Sequence, residues 1–220
     1  MFVETLSSYN KGFKKFKPYA PASDRKAWES LPEDFRQEII QAGEEYLNFN
    51  YPALPATKYM EFCRIGNRSM YEELYFKRRR VLNTLILAEC AEGKGRFLDD
   101  IINGIMAICE ESGWQIPAHN RYMWSSHYCL PDITEPVLDL FAAETGAQLA
   151  MAEYLLKEEL DRICPFITKR INKEIKDRIL TPYLRNRFGW MGGWGPVNNW
   201  TPWITQNVLI ALLSREDISD

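Results

Sequence analysis

The sequence predicts an all-α fold of stacked antiparallel helical hairpins. Apolar residues recur at helical spacing through most of the chain, and the helices are joined alternately by tight links (93–95, 161–164) and long loops (47–69, 113–133, 185–200). Since each tight link reverses the chain at one end of the array, we expect the three long loops to lie together at the other end. This alternation is typical of an α/α toroid, and no motif recurs at the period of about 34 or 40 residues that marks common binding solenoids.

The first half of the chain is expected to hold four helices. A short one covers 23–30, and a second, over 32–46, opens with a proline, which costs no hydrogen bond at a first helical position. Residues 47–69 contain two prolines and no long period, so we expect a loop of about twenty residues. Helices over 70–92 and 97–112 then form the first hairpin, with their apolar residues on one face.

The second half predicts three more helices. Thr134-Glu135-Pro136 has a cap, an acid and a proline at helix-start positions, and the small residues that follow, to about 160, imply close packing against a neighbour. Isoleucine recurs every fourth residue from 167 to 179, which predicts one buried stripe. Thr201-Pro202 is expected to cap the final helix, which extends to 213.

Length, hydrophobic content and net charge limit the number of domains and the kinds of partner. A chain of 220 residues with 46% hydrophobic content fits one globular domain, which we place at 23–220 behind an N-terminal arm at 1–22. The net charge of -3 does not indicate the basic surface of a nucleic-acid-binding protein, so no nucleic acid is expected as a partner. The basic run 77–80 is interpreted as a solvated helix face, with an anionic-ligand site as the alternative.

Cysteine usage and the N-terminus bear on localisation. The five cysteines are odd in number and lack the close spacing of a zinc site or a CxxC motif, which favours a reduced interior. The first residues lack the apolar core of a signal peptide, and no stretch approaches a membrane span. The chain as given is expected to be cytoplasmic, without a membrane partner, or exported if a signal has been removed.

The stretch 186–207 has the most unusual composition. It contains four of the seven tryptophans, four glycines, and the paired amides Asn198 and Asn199 just before a helix start. Flat aromatic faces beside amide groups are typical of a sugar-binding surface, and amides at a helix N-terminus favour a carboxylate. Alternatively, both asparagines satisfy the backbone of a turn.

Both histidines of the chain lie in one loop. His119 and His127 accompany Tyr122 and Tyr128, so a base and a phenolic acid can approach one substrate, although loop histidines are more often structural. No carboxylate stands at ligand spacing beside them, so we expect no metal, and no motif indicates a cofactor.

Two carboxylates lie in the apolar run DLFAAETGAQLA. Asp139 or Glu144 can serve as an acid if burial raises its pKa. The alternative is that they form hydrogen bonds that fix the packing of the adjacent loops.

Four segments carry a family resemblance. WQIPAH (114–119), PVLDLFAAETGAQLAMAEYLL (136–156), RINKEIKDRILTPYL (170–184) and WMGGWGPVNNWTPWITQNVLIAL (190–212) together resemble the heparinase II/III family of polysaccharide lyases. The resemblance covers about residues 70–213. It implies an incomplete α/α toroid, truncated before the remaining helices and before a C-terminal β-sandwich domain, and β-elimination at a uronate of an acidic polysaccharide. The active site of such lyases lies between the two domains, so we expect the reaction only in the full-length protein.

The resemblance also suggests roles for individual residues. The expected catalytic residues are Asn199, His119 and Tyr122, and the expected substrate-binding residues are Trp114, His127, Trp190, Trp194, Asn198 and Trp200. Lyases of this family have a histidine after the paired asparagines, whereas Trp200 stands here, which favours binding over catalysis. Two alternatives remain: a non-catalytic carbohydrate-binding or interaction scaffold, and a glycoside hydrolase that uses a carboxylate pair on the same toroid.

Overall fold

A computed structural model describes residues 16–120, 128–192 and 197–215, and within these ranges the chain is helical, without a strand. The described helices are α1 (Arg25–Glu29), α2 (Glu33–Glu44), α3 (Ala56–Ile65), α4 (Ser69–Glu92), α5 (Leu98–Cys109), α6 (Leu140–Ile163), α7 (Phe166–Ile175), α8 (Thr181–Arg185) and α9 (Trp200–Leu213). Short 3-10 turns lie at Pro117–His119 and Gly189–Met191, and a π-helical stretch, Lys176–Leu180, joins α7 to α8. The all-α prediction is confirmed.

Glycines explain the first tight link and one close helix contact. Gly93 ends α4 at a φ of 70°, where a side chain would be strained, and its N–H donates to Glu89 O at 2.7 Å. Gly146 lies in α6 against Ile179, and a Cβ at this position would come within 2.7 Å of the isoleucine Cγ1. The small residues of α6 therefore permit the close packing that the sequence predicts.

The core contains the predicted isoleucine stripe. Ile167 is 6% exposed, and Ile171, Ile175 and Ile179 are fully buried. Because these side chains recur once per helical turn, they present one continuous apolar edge to α5 and α6.

The long loops meet at one end of the array. The Tyr59 hydroxyl donates to Gln115 O at 3.4 Å, which joins the first loop to the second. The His119 ring lies 4.6 Å from the Trp200 ring between centroids, which joins the second loop to the third. The two tight links also lie together, since Lys94 of the first and Arg162 of the second line the same cavity. The hairpin argument is therefore confirmed for these contacts.

The first long loop does not lie wholly at that end. It begins near the tight link 93–95, where the Asn48 N–H donates to the Asp100 Oδ2 at 2.9 Å.

Three helix boundaries differ from the sequence prediction. The segment 47–69 contains α3, which buries little besides Tyr59 and so shows almost no apolar period in the sequence. Helix α6 begins after Asp139, whose Oδ1 accepts the Ala142 N–H at 2.7 Å, so the predicted start at Thr134 is wrong. Helix α9 begins at Trp200, one residue before the predicted cap.

The basic run 77–80 is not a solvated face throughout. Arg78 and Arg79 are each 8% exposed, and both bind Glu111, at 3.1 and 2.8 Å. The prediction is wrong for these two residues, because the partner that permits their burial lies more than thirty positions away.

Two cysteines are not reduced. Cys63 of α3 and Cys129 form a disulfide with a Cα–Cα distance of 5.6 Å, which corrects the expectation for this pair. The thiols of Cys90, Cys109 and Cys164 are free. The disulfide joins the first long loop region to the second.

The arm predicted at 1–22 is described only from residue 16. Its last residue, Ala22, is 2% exposed, and its N–H donates to Leu155 O at 2.8 Å. The arm therefore joins the helical array by a buried contact. None of the described helices has the length and apolarity needed to cross a bilayer.

Candidate functional site

The loop end of the array holds a histidine–carboxylate pair. The Asp139 Oδ2 lies 2.6 Å from the His119 Nδ1, and Asp139 is fully buried. Its other oxygen caps α6. Because both carboxylate oxygens are held, the aspartate fixes the orientation of the imidazole ring rather than facing a ligand itself.

Two aromatic rings frame the imidazole. Phe141 stacks against His119 at 5.9 Å with an interplanar angle of 8°, and Trp200 is tilted by 53° on another side at 4.6 Å. The His119 side chain keeps 15% of its surface exposed. The imidazole is thus held on two sides and reaches solvent over a small area.

The segment before His119 is fixed by buried amides. Pro117 opens the 3-10 turn that ends at His119, whose N–H donates to Ile116 O at 3.0 Å. Next to it, the Gln115 Nε2 donates to the Asn120 Oδ1 at 2.9 Å, and both side chains are buried. The backbone that carries the imidazole is therefore held on both sides.

The paired asparagines differ in their contacts. Asn198 forms hydrogen bonds with the backbone of the turn. Its Oδ1 accepts the Trp200 N–H at 2.9 Å, and its carbonyl accepts the Thr201 N–H at 3.1 Å. The first two amides of α9 are thus occupied, contrary to the expectation that they are free for a carboxylate. Asn199 is exposed and forms no side-chain cap, so its amide is available to a ligand.

Two of the expected platforms are core residues. Trp114 and Trp190 are each 1% exposed; their indole N–H groups donate to Ile108 O at 3.0 Å and to Leu138 O at 3.1 Å. A stacking platform needs an exposed ring face, which neither residue offers, so they do not enter the site built here. Trp200 is half-buried and contacts the imidazole.

Three expected residues, Tyr122, His127 and Trp194, lie outside the described part of the chain. Their roles stay predictions.

Glu144 lies one turn beyond the capped start of α6. Partial burial and the charge of Asp139 raise its pKa, while Arg79 opposes the shift. A raised pKa suits a proton donor. Asp139 is committed to His119 and to the cap, so these two carboxylates do not form the exposed pair that a hydrolase uses.

The sequence did not single out Phe141 or pair His119 with Asp139. Twenty positions separate the two partners, so no local spacing connects them. Asp139 itself was a sequence candidate, and its alternative role is confirmed, because its hydrogen bonds fix the adjacent loop and cap α6, as its place before an apolar run indicates. Among the described residues, no group of three histidine, cysteine or acidic side chains forms a metal site.

No protein-family model matches the chain, and no curated protein matches it at a significant level.

Proposed function

We propose that this chain is the toroid part of a heparinase II/III-like polysaccharide lyase, and that it binds an acidic, uronate-containing saccharide at the loop end. The observation that carries the proposal is the pair formed by His119 and the buried Asp139, at 2.6 Å. β-Elimination is proposed for the full-length protein.

Asp139 prepares His119 to act as a base. An ionised carboxylate can only accept hydrogen bonds, so Nδ1 carries the proton in this contact, and in the neutral ring Nε2 is the nitrogen with the lone pair. A base with a fixed ring orientation can remove the C5 proton of a uronate when that carbon lies against Nε2.

The reaction needs two further groups: an amide donor for the uronate carboxylate, and an acid that protonates O4, for which Tyr122 stays the prediction. As C5 loses its proton, the C4–O4 bond breaks, a C4–C5 double bond forms, and O4 gains a proton. Negative charge develops on the uronate carboxylate, which an amide donor stabilises. Asn199 is exposed beside the half-buried Trp200, so its N–H groups suit this position.

The test uses the full-length gene product with polyuronate and sulfated uronate oligosaccharides. The unsaturated product absorbs ultraviolet light, so turnover is followed directly. We expect His119→Gln to lower the rate by about a hundredfold or more while binding changes less. Undiminished turnover by His119→Gln would reject the role of the base.

The same assay separates the alternatives. Binding without turnover supports the non-catalytic scaffold, and release of reducing ends without an ultraviolet change supports hydrolysis. Trp200→Ala is expected to change saccharide binding, whereas Trp203→Ala, on the same helix and 43% exposed, serves as the matched control.

A further inference from the structure

A second pocket lies next to the proposed site. It is a cavity of about 380 Å³ between α8, the segment 186–191 and the first turns of α9. Its lining includes Arg185, Asn186, Arg187, Thr201 and Thr205, and none of the lining residues in the described part of the chain is acidic. The charge that the lining residues bring to this pocket is therefore positive.

The two arginines differ from the other arginines of this region in their contacts. Within the described ranges, neither guanidinium takes part in an ion pair or a side-chain hydrogen bond, and both side chains are exposed. By contrast, Arg170 and Arg178 of the preceding helical segment are both bound to Glu174, at 2.8 and 2.6 Å. Free guanidinium groups offer the forked donors that match a carboxylate or a sulfate.

The neighbouring polar groups are already paired. The Thr201 Oγ1 donates to Trp190 O, and Asn198 occupies the first two amides of α9, so the two arginines supply the free donors of the pocket. The pocket shares Arg185 and Asn186 with a larger cavity of about 660 Å³ that is lined by six carboxylates and four basic residues, so an anionic ligand is expected to stay on the arginine side.

The pocket is connected to the histidine site through adjacent residues. Thr201 follows Trp200, which contacts the His119 ring. Trp190, in the pocket wall, donates to Leu138 O, the residue before Asp139. A short path through Trp190 and Trp200 therefore links the pocket to the His119 site.

We propose that Arg185 and Arg187 form a second subsite, which binds the carboxylate or sulfate of the sugar next to the one at His119. The inference rests on the proposed function for the saccharide class and adds that the ligand carries negative charge on successive sugars.

The test measures dissociation constants at low and high salt. The probes are a polyuronate oligosaccharide, a sulfated uronate oligosaccharide and a neutral cello-oligosaccharide, and the first two distinguish carboxylate from sulfate. Because the arginines are exposed, we expect Arg185→Gln and Arg187→Gln each to weaken anionic binding by about threefold to fivefold. The double variant should lose more, and its affinity should depend less on salt.

Controls separate the subsite from general charge. Arg162→Gln removes an exposed arginine at the tight links and should leave binding unchanged. Affinity for the neutral probe should be the same in all variants. Unchanged anionic binding by the double variant, or a wild-type protein that binds neither anionic probe, would overturn the subsite.

The subsite and the elimination reaction fail in different ways. Arginine-dependent binding without an unsaturated product retains the subsite and rejects the elimination. Turnover that is lost in His119→Gln but has a normal KM in the arginine double variant retains the elimination and rejects the subsite.

Discussion

Two pairs of arginines in this chain have opposite environments. Arg78 and Arg79 of α4 are each 8% exposed and share Glu111. Arg185 and Arg187, beside α8, are exposed and have no partner in the described part of the chain. In the sequence, each pair is simply a short basic group.

The difference lies in how the remaining donors are satisfied. Arg78 also donates to Pro52 O and Ala107 O, at 2.8 and 2.7 Å, so its burial leaves few unpaired groups. Removing a guanidinium from water without such partners is costly, so an unpaired arginine stays in solvent and available to a ligand. The first pair therefore stabilises the fold, and the second is a candidate for binding.

The largest expected effect is on the buried pair. Glu111→Gln removes the negative charge that two buried guanidinium groups share, and we expect the free energy of unfolding to fall by about 3 kcal/mol. Urea unfolding followed by circular dichroism measures the change. Asp177→Asn, which breaks the exposed pair with Lys173, is the control and should have little effect. Equal changes in the two variants would remove the distinction between the pairs.

A buried carboxylate with only one partner should have an intermediate effect. Glu153 is 7% exposed; its Oε1 accepts the Asn172 Nδ2 at 2.6 Å, while its Oε2 is unpaired. Burial raises its pKa despite the Asn172 bond, so the carboxyl holds its proton more tightly in the folded protein than in the unfolded chain. Its contribution to stability is full below the ordinary glutamate pKa and is lost as the pH rises through the raised value.

Glu153→Gln tests this sign. The free energy of unfolding of the wild type, relative to the variant, should decrease by about 1 kcal/mol from acidic to neutral pH. Unfolding in urea at several pH values gives the difference, and Glu158→Gln, at an exposed position of the same helix, is the control. A difference that grows with pH would contradict the assignment.

The smallest expected effect on stability is at the exposed pair. The double variant Arg185→Gln, Arg187→Gln should unfold within about 0.5 kcal/mol of the wild type, because it breaks no contact within the described protein. A thermal unfolding scan checks this, and a loss as large as that of Glu111→Gln would show that these arginines also hold the fold.

The sequence was sufficient where the signal is local. The isoleucines from 167 to 179 repeat with the helical period, and all are buried. Gly93 marked the turn at the end of α4, and the long loops meet as the alternation of links predicts. Local periodicity fixes which face of a helix is apolar, and short links fix the direction of the next helix.

The candidate site could be predicted only in part. His119, Asn199 and Trp200 were selected from composition and resemblance, and the structure brings His119 and Trp200 together. The same reasoning selected Trp114 and Trp190, which are core residues. Composition identifies an aromatic segment, but it does not say which rings the helices cover.

The chain by itself therefore determined most of the helices, their order and the contacts between the long loops, but not α3 or the start of α6. Tertiary structure alone decided that Asp139 holds His119, that Glu111 buries two arginines, and that Cys63 bonds Cys129. The physical reason is sequence distance: helix propensity and periodicity act over a few residues, whereas these partners lie 20 to 66 positions apart and meet only when the hairpins pack.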